Sequence, residues 1–255
     1  MANKIKIKIS SFVANILEND ALRFGFMKSG QSNKNALLNK LIPTLVELRK
    51  ARREEIESIL RNEYNRSDST KIYNAVNMVI DRVYFNDEEL NALEEYIWIR
   101  PSKKTIVVYD EIQTSETRIT AQETPVYIRG LLNEYSRFPQ YKREALTFDE
   151  ELDVFANACY TQQILYFRDA ETNERHKAFA FHYYYGYLYD QTNYCVIYDI
   201  NNQTIRSVPL CRIRDVYSIK QKYKPSDRLI EHLQNYADAC EFDKEVREVD
   251  EENVF

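Results

Sequence analysis

The chain is 255 residues long, with 44% hydrophobic, 29% charged and 13% aromatic content and a net charge of −5. This is a soluble globular composition with apolar mass for one or two cores, and 4 Gly and 6 Pro leave no room for a Gly-rich phosphate loop or a long flexible linker. No apolar run approaches the roughly 18–20 residues of a membrane span, and Met1 to Ile9 lacks the apolar middle of a secretion signal, so a cytoplasmic protein is expected.

In chain order, Lys4-Ile5-Lys6-Ile7-Lys8-Ile9 alternates with period two, placing the isoleucines on one face of a strand and the lysines on the other. Ser10 or Ser11 caps a helix in which Phe12, Ile16, Leu17 and Leu22 recur at helical spacing. A loop from Gly25 to Gly30 follows, and then Ser32 or Asn33 opens a second helix burying Leu37, Leu38, Leu41, Ile42 and Leu45, with Pro43 expected to kink it. Tyr96-Ile97-Trp98-Ile99-Arg100 repeats the alternation. Pro101-Ser102 opens a helix with Ile106, Val107 and Ile112, and Glu123-Thr124-Pro125 opens another with Val126, Tyr127, Leu131 and Leu132.

A helix over Thr147–Cys159 precedes a change of period. Ile164–Arg168, Arg175–Tyr189, Asn193–Tyr198, Thr204–Val208 and Arg212–Tyr217 read as five short strands, with turn chemistry at Asp169–Glu174 and Asp199–Gln203. Five strands at hairpin spacing predict a small barrel or sandwich. Pro225-Ser226-Asp227 starts a last helix with a Leu229, Leu233, Tyr236 stripe, expected to serve dimer contacts, before an acidic tail.

Charge is segregated along these elements: residues 1–66 carry +6, 67–100 carry −4, 101–158 carry −3, 159–224 carry +3 and 225–255 carry −7. A polyanion is therefore expected to meet residues 1–66 or 159–224. Within the latter, Arg168, Arg206, Arg212 and Arg214 are interleaved with tyrosines such as Tyr194. Cations track a phosphate backbone, and aromatic faces stack on unpaired bases for roughly 1–3 kcal/mol each. These five residues form the predicted single-stranded RNA site. Lys4, Lys6, Lys8, Trp98 and Arg100 form a second candidate contact, for DNA or RNA; the alternative for the lysines is a guard against edge-to-edge pairing.

Catalytic patterns are weak. Cys159, Cys195, Cys211 and Cys240 form no close pair, and His is limited to 176, 182 and 232, so no metal site and no cofactor is expected. Arg175 and His182 match the R-x(4–6)-H spacing of HEPN ribonucleases, but that pattern needs a helix and this stretch reads as strand. No nucleophile–His–acid set, H-E-x-x-H or Walker lysine is present. A non-enzymatic protein is expected.

The strand–helix–loop–helix order of residues 4–46 resembles the ribbon-helix-helix family, whose paired strands enter a major groove. Residues 96–132 repeat the order, which suggests a second, degenerate half pairing within the same chain. Residues 147–220 are similar to the WYL domain, an Sm-like barrel: its name triplet stands here as Asn193-Tyr194-Cys195 and its Asp-Arg-Ile ending as Cys211-Arg212-Ile213. The combination resembles the WYL accessory proteins of type VI-D CRISPR systems, which implies RNA at the barrel and an RNA-guided ribonuclease as partner.

The expected fold is α+β. A ribbon-helix-helix half (1–50), a helical connector (51–93), a second half (94–140), a WYL β-barrel with its leading helix (141–224) and a C-terminal helix with an acidic tail (225–255) follow in order. The expected function is that of a homodimeric regulator binding single-stranded RNA through the barrel and modulating, in the positive sense, a CRISPR effector nuclease. The alternatives are a DNA-binding transcriptional regulator whose WYL domain senses a ligand, and a protein-only adaptor.

Overall fold

The computed structural model describes residues 4–64, 75–76, 92–116, 123–185, 191–242 and 252–253. Helices and antiparallel strands are mixed in an α+β architecture, and the chain divides into two units, Met1–Phe138 and Pro139–Phe255.

The first unit runs β1 (Ile5–Ser10), α1 (Ser11–Arg23), β2 (Met27–Lys28), β3 (Gln31–Ser32), α2 (Lys34–Tyr64), β4 (Leu93–Ile99), α3 (Ile106–Glu111) with a π turn over Ile112–Glu116, and α4 (Thr124–Arg137). Strand β1 pairs antiparallel with β4 of the same chain, in the register Ile5↔Ile99, Lys6↔Trp98, Ile7↔Ile97 and Lys8↔Tyr96. Cross-strand partners share a face, so isoleucine meets isoleucine on the side packed against α1 and α4. Ile7, Ile9, Ile97 and Ile99 are buried there.

Ser10 caps α1, its hydroxyl accepting from the Val13 N–H at 3.3 Å. Of the expected stripe only Leu17 is buried; Phe12 and Leu22 are exposed and Ile16 is half-buried, while Val13, Ala14 and Ala21 complete the buried face. Asp20 lies on the same face and accepts from the Tyr135 hydroxyl at 2.7 Å. The Gly25–Gly30 loop contains a hairpin whose two-residue turn, Ser29-Gly30, has φ of 51° and 78°. Both values are left-handed, as the primed hairpin turn requires.

Asn33 caps α2 through Oδ1 to the Ala36 N–H at 3.1 Å, and Leu37, Leu38, Leu41, Ile42 and Leu45 are all buried. The helix contains Pro43 and continues to Tyr64, so the expected boundary at residue 50 falls inside one element. Residues 65–74 and 77–91 of the expected connector lie outside the described residues. After β4, the helix read from Pro101-Ser102 begins only at Ile106; Ser102 and Thr105 form the preceding turn, and Val107 is 71% exposed. Asn39 on α2 holds this corner: its Nδ2 donates to the Arg100 carbonyl at 3.0 Å, and its Oδ1 accepts from the Ser102 N–H and the Thr105 hydroxyl, both at 2.7 Å.

The second unit runs α5 (Gln140–Thr147), α6 (Asp149–Thr161), β5 (Gln163–Asp169), β6 (Arg175–Tyr185), β7 (Asn193–Asp199), β8 (Thr204–Pro209), a 3₁₀ turn (Leu210–Arg212), β9 (Ile213–Lys222), α7 (Asp227–Phe242) and β10 (Glu252–Asn253). The strands form one antiparallel sheet in the order β10-β8-β7-β6-β5-β9. A closed barrel needs a ladder between β9 and the β8 edge, and among the described residues the pairing contains none.

Helix α7 packs Leu229, Leu233, Tyr236, Ala237 and Cys240 against Phe179, Tyr184, Val196, Tyr198 and Ile205 of β6, β7 and β8. The stripe expected to serve dimer contacts thus covers the chain's own sheet. Helix α6 lies against β5, β6 and β9. Glu144 on α5 is buried and accepts from the Asn193 backbone N–H (2.7 Å), the Asn193 amide (2.8 Å) and the Cys211 N–H (3.1 Å). Burial raises its carboxyl above the ordinary glutamate value against those bonds.

Candidate nucleic-acid interface

The outward face of the β1/β4 ribbon brings together the lysines and the aromatic residues of the two strands. Lys4 Nζ lies 3.7 Å from the centroid of the Trp98 ring, and Lys6 Nζ lies 3.9 Å from that of Tyr96 and 5.2 Å from that of Trp98. Lys8 Nζ lies 5.8 Å from the Tyr96 centroid. Tyr96 is 54% and Trp98 46% exposed. Arg100 is exposed just beyond the strand, its N–H donating to Asn35 Oδ1 at 2.8 Å. Period two created this face, and the in-chain register placed each ring under an ammonium. An ammonium over an exposed ring gains about 0.5–1 kcal/mol and remains solvated, able to meet a phosphate.

By contrast, the basic run after Leu48 is consumed within its own unit. Arg49 is buried over the Tyr127 ring, Lys50 pairs with Glu47 and Glu111, and Arg52 pairs with Glu134.

The five residues predicted to form an RNA surface in the second unit stand in different settings, most of them engaged with other side chains. Arg212 sits in the 3₁₀ turn and grips the buried Asp169 carboxylate, Nε at 3.1 and 3.2 Å and a terminal nitrogen at 2.5 Å, while its other terminal nitrogen meets Glu171 at 2.8 Å. Burial pushes the Asp169 carboxyl up, but Arg212 and the N–H groups of Glu171 and Thr172 outweigh it and hold the group below the ordinary aspartate value. Arg168 Nε donates to Asp215 Oδ2 at 2.7 Å and a terminal nitrogen to Asn173 Oδ1 at 3.2 Å.

Arg214 lies 4.4 Å from the Phe148 ring centroid, and burial lowers its guanidinium below the ordinary value. Arg206 is only 9% exposed on β8, and its Nε is buried without a partner. Tyr194 stacks on Tyr184 at 5.4 Å and packs against the α7 cluster. Arg212 belongs to the 3₁₀ turn and Arg214 to the strand that follows, so the strand alternation does not relate the two.

Sequence reasoning missed the aromatic stack beside Arg168. Tyr166 on β5 and Tyr217 on β9 are directly paired, with ring centroids 5.3 Å apart and planes within 9°. Tyr166 and Arg168 alternate in the sequence, a signal that becomes legible once the β5/β9 register is known. The same sheet holds a buried His176–Asp199 pair, Nδ1 to Oδ2 at 2.7 Å. Arg175 and His182, the HEPN-like spacing, lie on one strand. Among the described residues no group of three or more His, Cys, Asp or Glu residues is placed to hold a metal ion, and no helix is long and apolar enough to cross a membrane.

No protein-family model matches the chain, and no curated protein matches it. Among solved structures, the chain shares its fold with one described as the crystal structure of a CRISPR Cas-related protein, at TM-score 0.61 and 12% identity over 89% of this chain. The chain spans 65% of that structure's length. The proteasome accessory factor B/C of Arthrobacter aurescens aligns at TM-score 0.29 and 12% identity, over 51% of this chain and 22% of the other.

Proposed function

We propose that the chain is a non-enzymatic accessory protein of an RNA-guided CRISPR ribonuclease and binds single-stranded RNA on the lysine–aromatic face of the β1/β4 ribbon. In this reading residues 4–46 and 96–132 are two ribbon-helix-helix halves joined in one chain, the second unit is a WYL domain of Sm-like type, and two chains associate as a homodimer. The ribbon face carries the proposal: three lysines that, among the described residues, are held by aromatic rings and no carboxylate, on an exposed strand pair. The likeness to a CRISPR Cas-related fold supports the choice of partner. The magnitudes favour a single strand. A base stacking on Tyr96 or Trp98 gains roughly 1–3 kcal/mol, more than the about 0.5–1 kcal/mol by which an ammonium holds the ring, and the displaced ammonium is then free for phosphate.

The test is filter binding of labelled single-stranded RNA, single-stranded DNA and duplex DNA across a salt series. Replacing Lys4, Lys6 and Lys8 together by Ala is expected to weaken RNA binding and to lower the salt slope by about 2, at roughly 0.7 per lost phosphate contact on a single strand. A folded triple variant with wild-type affinity and slope refutes the site. A two-stranded ribbon also has the width of a major groove, which favours duplex DNA as the second reading. Tighter binding of duplex than of single strand, lost in the same variant, identifies that alternative.

A further inference from the structure

We propose that the second unit holds a pocket for one unpaired nucleotide on the half of its sheet that α7 leaves open. This site is distinct from the ribbon in residues and in unit. A cleft of about 120 Å³ is lined there by Tyr166, Arg168, Arg175, His176, Asp215 and Tyr217, among others. Three features of it point to a nucleotide.

The first is a prepared stacking surface. Tyr166 and Tyr217 lie parallel at 5.3 Å, and Tyr217 is 55% exposed. A planar base continues such a stack, and every base has a face to offer.

The second is an unbalanced cation pair. Arg168 and Arg175 are direct cross-strand partners, and like charges placed opposite each other are destabilising. Asp215 and Asn173 serve Arg168, while Arg175 is exposed and has no carboxylate partner among the described residues. Lys177 follows on β6, directly opposite Tyr166. A phosphate on the β6 side relieves the repulsion and completes the charge balance.

The third is the bulged backbone beside the cleft. Asp215 is held at φ 51°, and the β5/β9 register shifts between Tyr166 and Arg168. The bulge sets the Asp215 carboxylate beside the Arg168 fork, an acceptor next to a donor. All four bases carry an edge that complements such a pair, so the pocket recognises an unpaired base without selecting its identity. The ring row on β9 and the cation row on β6 are two strand spacings apart, roughly 10 Å. Long Arg and Lys side chains shorten this to the ring-to-phosphate span of one nucleotide.

The experiment titrates the full chain with adenosine 5′-monophosphate and with a single-stranded oligoadenylate 12-mer, for wild type, Tyr217→Ala, Tyr217→Phe and Arg175→Glu. Tyr217→Ala is expected to weaken both probes roughly 5- to 140-fold, the range of one lost stacked base. Tyr217→Phe retains the ring and is expected to stay within about twofold of wild type, as stacking on the ring face requires. Arg175→Glu is expected to weaken both probes. The proposal is overturned if the folded Tyr217→Ala variant binds both probes like wild type, or if the wild type takes up no monophosphate at millimolar concentration. The ribbon triple variant separates the two sites. If it loses the 12-mer but keeps the monophosphate, both stand; if it keeps the 12-mer while Tyr217→Ala loses it, the ribbon reading fails and the pocket stands.

Discussion

Replacing Arg212 by alanine separates a structural cation from a binding one. The Asp169 carboxylate is buried, 1% exposed, and receives three close contacts from the Arg212 guanidinium, itself 21% exposed. Removing one partner of such a pair strands a buried charge, which costs about 3–5 kcal/mol. The remaining N–H donors from Glu171 and Thr172, at 2.8 and 3.4 Å, and the partial exposure of Arg212 place the loss near the lower end, about 3 kcal/mol. For a unit of this size, that lowers the melting midpoint by roughly 10–15 °C. Arg212→Lys keeps the charge but not the fork and falls between wild type and alanine. Replacing both partners by apolar residues, Arg212→Met with Asp169→Leu, recovers most of the loss, because neither charge is then buried alone. Thermal and urea unfolding measure these stabilities, and filter binding at several salt concentrations measures the RNA slope. Arg212→Ala is expected to lose much of its stability while keeping RNA affinity and slope unchanged below its melting point. A variant as stable as wild type that loses RNA reverses the assignment.

Arg206→Met is expected to leave stability unchanged or raise it, since the buried Nε has no partner and a buried unsatisfied group costs about 1–3 kcal/mol; a drop in the urea midpoint contradicts this. Acid is expected to weaken the second unit. Burial raises the Asp169 and Asp199 carboxyls, but Arg212, His176 and backbone N–H groups together hold both below the ordinary aspartate value. Their stabilisation is complete above the unfolded value of about 3.9 and is lost as pH falls through the folded values. Glu144 has the opposite sign: burial raises it, so its contribution is complete below the ordinary glutamate range and is lost as pH rises through the raised value. Urea midpoints between pH 2.5 and 8 should show the acid-side fall, and Asp169→Asn should reduce it.

Much of the first unit was legible because its signals are local. Lys–Ile alternation specifies a strand and its faces, and the Ile5 and Ile97 runs share a pattern that aligns isoleucine with isoleucine. The α2 stripe needed only helical spacing. The α1 stripe did not follow, because helical spacing does not distinguish Val13, Ala14 and Ala21 from the larger Phe12 and Leu22, which remain exposed. In the second unit the strands were legible, and the fate of the arginines was not. Arg212 finds Asp169 across 43 positions, and Arg168 finds Asp215 across 47. Which carboxylate reaches which guanidinium depends on strand register and on one left-handed backbone angle, and no period in the sequence carries either.

The two basic segments differ in what holds their cations rather than in how many they have. On the ribbon, lysines lie over rings with a hold of about 0.5–1 kcal/mol, so a phosphate recruits an ammonium at little cost. In the second unit, Arg212 and Arg168 have carboxylate partners at 2.5 and 2.7 Å. A phosphate must compete there with a carboxylate, and for Arg212 it would leave Asp169 buried and unpaired. Residue type suits this division. The arginine fork matches a carboxylate with parallel hydrogen bonds, and the lysine head is a hydrated point charge that exchanges partners easily. Arg175 is the exception in the second unit: a fork on the open half of the sheet, opposite Arg168 and near the exposed Tyr217. Under the proposed function, the availability of each cation, rather than the regional charge of +6 or +3, decides where a polyanion binds.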